Sequence, residues 1–187
     1  MSELFESKIH GRKTDQAKTL RFTDLPSRVQ DLHKNTKRLS QAIIKVSSYS
    51  KSHSRAIAHA EYITRQKKDT EDLPIEMSDG SILYDAEDFQ EVLDGWFAAD
   101  EVRENSRRCV NIVLSSPAGS DVEQLKESVR EFVGEYFQKH ESMFVVHTDT
   151  NNPHAHLTVK MRSHDGEQLR LGRSELKDMK DLYAEKL

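Results

Sequence analysis

The pattern of apolar and polar positions divides the chain into recognisable elements. Residues 41–48, QAIIKVSS, are rich in β-branched side chains and predict a first strand. The polar YSKSHS at 49–54 predicts a loop. In 54–68, SRAIAHAEYITRQKK, Ala and Ile recur at helical spacing. Arg55, His59, Tyr62 and Arg65 fall on a neighbouring stripe of that helix. Residues 69–84 predict loops around a short hairpin, EMSDGSILY, turning at Asp79-Gly80. DAEDFQEVLDGWFAADEV (85–102) predicts a helix, and CVNIVLSS (109–116) is the plainest strand, stopped by Pro117 and Gly119. Residues 120–140 form an amphipathic pattern, with Ser120 as the expected N-cap and Glu123 in the capping-box position.

MFVVHTD (143–149) and HAHLTVKMR (154–162) predict two strands joined across NNP. SHDGEQLRL turns at Asp165-Gly166 and has room for another strand. SELKDMKDLYAEKL (174–187) predicts a helix running to the last residue, the pattern expected of a piece of a longer protein. Residues 1–40 have weak periodicity and read as an arm, with a helix near SRVQDLHKNTKRLSQ. The hairpin at 143–162 makes two strands neighbours. The expected fold is therefore α+β: a central antiparallel sheet with helices on one or both faces. The domain reading is a basic arm at 1–40 and one domain at 41–187.

Composition narrows the function classes. The chain has 187 residues, 32% of them charged, enough for one domain with a proper core. No apolar run approaches the roughly eighteen residues of a membrane span, and the N-terminus lacks a signal-peptide stretch. The one cysteine, Cys109, excludes an internal disulfide framework, and a reducing cytoplasmic compartment is expected. The formal net charge of −4 hides an asymmetry. Residues 1–68 hold 15 Lys+Arg against 6 Asp+Glu, and the remainder holds 13 against 26. Clustered basic charge of this kind neutralises phosphates, although a solvated arm would look the same.

The most distinctive stretch is VVHTDTNNPHAHLTVK, residues 145–160. The chain has nine histidines, and three of them, His147, His154 and His156, fall within it. Alternate strand residues share a face, so His154 and His156 point the same way. A hairpin brings His147 to them. Three imidazoles facing one point suit a divalent ion with open positions for water or substrate. Imidazole ligands suit Zn, Mn, Ni and Cu; a phosphodiester substrate would favour Mg or Mn. Asp149 is placed to share a face with His147, where it orients an imidazole or accepts a proton.

A site of this kind activates water or polarises a phosphate for attack by a side chain. Tyr62, within AHAEYITRQ, is the candidate nucleophile, with Arg65 one turn away to stabilise a phenolate or bind phosphate. A helix tyrosine packed half into the core is the competing reading. Tyr49, in SYSKSH, is the competing nucleophile.

HTDTNNPHAHL resembles the three-histidine motif of conjugative relaxases of the mobilisation-P class, in the HUH endonuclease superfamily. The element ending in EYITR resembles that family's first motif, whose tyrosine nicks DNA. NIVLSSPAG resembles its second, which maps onto Ser115. The resemblance covers roughly residues 41–187. In rolling-circle replication initiators the His-x-His strand typically precedes the tyrosine; here Tyr62 comes first, as in relaxases. The resemblance implies strand-specific nicking at the transfer origin of a mobile element. Tyr62 would form a 5′-phosphotyrosyl link at a metal held by His147, His154 and His156. Asp149 or His154 would take the proton, and Ser115 would touch DNA near the cut. Single-stranded DNA would be held by basic residues, for which Lys45, Arg55, Arg65, Lys67 and Lys68 are candidates. Accessory proteins of the relaxosome and a type IV coupling protein are the implied protein partners. A water-using metallonuclease, in which Tyr62 is only structural, and a non-catalytic DNA-binding module are the alternatives. Neither would leave protein covalently on DNA.

Overall fold

The structure is a computed structural model that describes residues 42–64, 73–98 and 105–187. The arm at 1–40, its expected helix, and Arg65, Lys67 and Lys68 lie outside the described residues. The element order is β1 (Ile43–Ser50), α1 (His53–Thr64), β2 (Ile75–Met77), β3 (Ile82–Leu83), α2 (Ala86–Ala98), β4 (Cys109–Ser115), α3 (Val122–Tyr136), β5 (Ser142–His147), β6 (His154–Lys160) and α4 (Arg173–Lys186). The strands form one sheet in the order β1-β4-β6-β5-β2-β3, with every pairing antiparallel. The expected α+β class and the expected β5–β6 neighbours are both present.

Period-two alternation gives the sheet two faces with different partners. One face carries Val110, Ile112, Leu114, Phe144 and Leu157 against Leu125, Phe132 and Tyr183 of α3 and α4. The other carries Cys109, Met143 and Val145 against Ala60 and Ile63 of α1 and Phe89, Leu93 and Trp96 of α2. Burying a side chain such as Leu93 or Phe132 contributes about 1.5–3 kcal/mol. His53 at the head of α1 lies 2.6 Å from Asp94 of α2, which ties the two helices of this second layer. No helix among the described residues is long and apolar enough to cross a membrane.

Four boundaries differ from the sequence reading, each for a local reason. β1 runs through Tyr49 and Ser50, where a loop was expected. The polarity of YSKSHS misleads because its first serine, Ser50, is buried beside Asn111. The Asn111 amide donates to Ser48 Oγ at 2.9 Å and lies 3.4 Å from Ser50 Oγ, and its Oδ1 accepts from Thr158. A bulge between Val46 and Ser48 absorbs the odd residue. α3 is capped by Asp121, which accepts the Gln124 amide at 2.9 Å, and not by Ser120. Ser120 instead donates to the Pro117 carbonyl at 2.8 Å, closing the turn that Gly119 enters at φ 77°. β5 ends at His147, because Thr150 bonds the Asn152 carbonyl and opens a polar turn before Pro153. The additional strand near 163–171 reduces to one bridge, Arg162 to Gln168, around Gly166 at φ 82°.

Candidate active site

β5 and β6 place the histidines by register. His147 sits directly opposite His154, and His156 is opposite Val145 on the same face. Their ring centroids are 5.2 Å (His147–His154), 4.6 Å (His147–His156) and 5.1 Å (His154–His156) apart. One ring nitrogen from each lies within 4.8 Å of the others. His147 is buried; His154 and His156 are half-buried, which leaves the cluster open on one side.

Two of the rings are oriented through their second nitrogen. His147 Nε2 is 2.6 Å from the Ile63 carbonyl, and His154 Nδ1 is 3.2 Å from the Asn152 carbonyl. A carbonyl only accepts, so these nitrogens donate and the opposite nitrogen of each neutral ring keeps its lone pair. This is how a metal-ligating histidine is normally held. The donor set therefore fits a divalent cation with room for further ligands.

α1 lies over this end of the sheet. The Ile63 carbonyl that fixes His147 belongs to the residue next to Tyr62. One turn earlier, the His59 ring packs edge-on to His156 at 6.5 Å. Burial pushes the His59 imidazole below its ordinary pKa and favours its neutral form. Tyr62 is three residues on from His59, beside Ile63, and stands on the solvent side of α1. Its side chain is 70% exposed, so the competing reading of Tyr62 as a half-buried core tyrosine does not hold.

The other four tyrosines are placed differently. Tyr183 is buried, with its phenol pushed up to about 12 by desolvation. Tyr136 packs against the α3–α4 core. Tyr84 is exposed beyond β3, at the far edge of the sheet. Tyr49 pairs with Val110 and packs on the opposite face from the histidines, toward the opposite end of β4.

The remaining candidates distribute around the cluster. Ser115, His154 and His147 form one cross-strand row; Lys45, Val113, His156 and Val145 form the next. Ser115 is half-buried beside His154, and Lys45 is exposed in line with His156. Arg55 is exposed in the first turn of α1. Asp149 lies in the exposed loop after β5, two residues past the last strand position, and so does not share a strand face with His147. His59 had no role in the sequence reading. Its signal was the His-x-x-Tyr spacing to Tyr62, readable only once α1 is known to lie on the histidine face.

The chain matches the family model described as "Relaxase: MobA/VirD2-like, nuclease domain" over residues 62–186, well over half its length. No curated protein matches the sequence significantly. Among the solved structures similar to this one are the following two. The first is described as the molecular basis of vancomycin resistance transfer in Staphylococcus aureus. It shares 15% identity over 78% of this chain and 89% of that chain, at a TM-score of 0.54. The second is the MobM relaxase domain (MOBV; Mob_Pre) bound to plasmid pMV158 oriT DNA in a Mn-bound crystal structure. It shares 15% identity over 77% of this chain and 85% of that chain, at a TM-score of 0.47. The first likeness shows a shared fold.

Proposed function

The chain belongs to the MobA/VirD2-like relaxase nuclease-domain family, and we propose that it nicks one strand of DNA at the transfer origin of a mobile element by transesterification onto Tyr62. The observation that carries this reading is the hydrogen bond from His147 to the Ile63 carbonyl. It joins the histidine cluster to the turn of helix that bears the exposed tyrosine.

In the proposed reaction the Tyr62 phenolic oxygen attacks the scissile phosphorus. The bond from phosphorus to the 3′-oxygen breaks and a 5′-phosphotyrosyl bond forms. The phenol gives up its proton to Asp149, and the departing 3′-oxygen takes one up. His154, with one ring nitrogen donating to the Asn152 carbonyl and the other kept for a metal ion, has no lone pair left to take the phenol's proton. One phosphodiester replaces another, so the step is reversible and the strand can be rejoined. His147, His154 and His156 would hold a divalent ion, Mg or Mn in the cell with Zn or Ni as alternatives, which when bound supplies positive charge against the scissile phosphate. His147 and His154 are held for that task by their carbonyl partners. Ser115 contacts the strand beside His154, and Lys45 and Arg55 neutralise phosphates on either side.

The substrate is single-stranded, because a phosphate within a stacked duplex cannot reach a cluster set between α1 and the sheet. We assign nicking to residues 41–187, acting in the cytoplasm with relaxosome accessory proteins and a coupling protein. The test is to trap the adduct with Mn and origin DNA, digest it, and identify the nucleotide-bearing peptide by mass spectrometry. The adduct is expected on the peptide containing Tyr62. Cleavage without any adduct would overturn transesterification in favour of a water-using metallonuclease.

A further inference from the structure

β1 is the edge strand that leads away from the histidines, and it has no carboxylate along its length. It exposes Lys45 in line with His156 at one end, and Lys51 follows its last residue at the other. Between them Tyr49 turns to the α4 face of the sheet. There the Arg107 guanidinium carbon lies 4.1 Å from the centre of the Tyr49 ring. The pair borders an open groove of about 410 Å³, lined also by Met161, Leu169, Arg170 and Leu171. Gln168 Nε2 donates to the Arg107 carbonyl at 3.2 Å, which ties the loop bearing Arg107 to the segment bearing Arg170.

The charge at this groove runs against the rest of the chain. Residues 69–187 hold 13 basic groups against 26 acidic ones. Yet 105–110 and 168–173 together carry Arg107, Arg108, Arg170 and Arg173 with no Asp or Glu. Arg108 is engaged with the Phe97 carbonyl at 2.7 Å; Arg107 and Arg170 are exposed. A guanidinium stacked on a phenol ring is fixed in plane, with its N–H edge left to grip a phosphate. The leucines beside it offer an apolar surface against which a base can pack.

We infer that this groove is a second binding site for single-stranded DNA, which holds the strand a few nucleotides away from the nicking centre. The inference rests on the reading of the substrate as single-stranded DNA. Tyr49 pairs with Val110, five positions along β4 from Ser115, which is about 17 Å at ~3.4 Å per residue. A single strand spans that distance along an edge lined by Lys45 and serines. A partner protein with an acidic segment would satisfy the same arginines, but would not account for a carboxylate-free path from the histidines to the groove.

The test uses fluorescein-labelled oligothymidylates of two lengths and fluorescence anisotropy over a range of KCl concentrations. The short probe covers the histidine end alone; the long one exceeds it by more than the span to the groove. With the long probe, the Arg107→Gln/Arg170→Gln double variant is expected to bind about tenfold more weakly. Its slope of log affinity against log salt is expected to fall by about 1.4, from two single-strand phosphate contacts at ~0.7 each. With the short probe it is expected to match the wild type. Arg107→Lys keeps the charge without the planar stack, and is expected to keep the slope while losing affinity. Equal affinity and slope for wild type and double variant on the long probe would overturn the inference, with an acidic protein segment as the occupant to seek. The two readings fail separately. A slope change without a covalent adduct sinks nicking and keeps the groove; an adduct with an unchanged slope sinks the groove and keeps nicking.

Discussion

Five tyrosines compete for one chemical role, and burial and position separate them. Tyr183 is in the core and Tyr136 packs half-buried against it. Tyr49 lies on the opposite face of the sheet, Tyr84 sits past β3 at the far edge, and Tyr62 stands exposed on the helix whose backbone holds His147. An exposed phenol contributes little to stability, so Tyr62→Phe is expected to shift urea unfolding by no more than about 0.5 kcal/mol. Ligand loss is different. His156→Ala is expected to weaken Mn binding by at least about tenfold in calorimetry, while Tyr62→Phe leaves it unchanged. Equal Mn affinity in wild type and His156→Ala would remove the cluster from metal binding. At this scale the sequence was most legible: alternation along one strand and a short hairpin suffice to converge His147, His154 and His156. His59 was not legible, because its approach to His156 depends on how α1 lies across the sheet. The stacking of Arg107 on Tyr49 was hidden for the same reason, since 58 positions separate them in the sequence.

Element boundaries follow from where polar side chains find partners. Asp121 carries the cap of α3, and Ser120 is spent on the preceding turn. Asp121→Ala is therefore expected to cost about 1 kcal/mol in urea unfolding, and more than Ser120→Ala. The reverse order would restore Ser120 as the cap. Phe132 anchors the same helix, in contact with the rings of Tyr136, Phe137 and Tyr183. Phe132→Ala is expected to cost about 3–5 kcal/mol, the range for a fully buried aromatic. Helices and strands were legible from periodicity, while their ends were not. Ser50 of β1, buried beside Asn111, reads like a loop residue, and Asp149 reads like a strand residue because HTD follows directly on MFVV.

Across the whole molecule, the two faces of one sheet divide the work. The α3–α4 face holds most of the large buried side chains, while the α1–α2 face holds a smaller core and the histidines at its end. This division makes a pH prediction away from the site. Burial lowers the pKa of His140, although its contact with the Lys160 carbonyl works in the opposite direction. The folded His140 is thus harder to protonate than the unfolded one at an ordinary value of about 6.5. Below that pH the unfolded chain binds more protons, so stability is lost as pH falls through 6.5 toward the folded pKa. His140→Gln is expected to flatten that loss in denaturation curves taken at about pH 7.5 and about pH 5.5. An unchanged pH dependence would assign the loss to other groups.

Tyr62, on the helix whose backbone holds His147, is proposed to become covalently joined to DNA. The most direct measurement is a denaturing gel of the protein incubated with labelled single-stranded origin DNA and Mn. Tyr62→Phe and an EDTA-treated sample run alongside. A slowly migrating protein–DNA band is expected in the wild type and is lost in both controls. Cleavage that survives Tyr62→Phe would contradict attack by Tyr62, and would pass the attack to water or to another tyrosine.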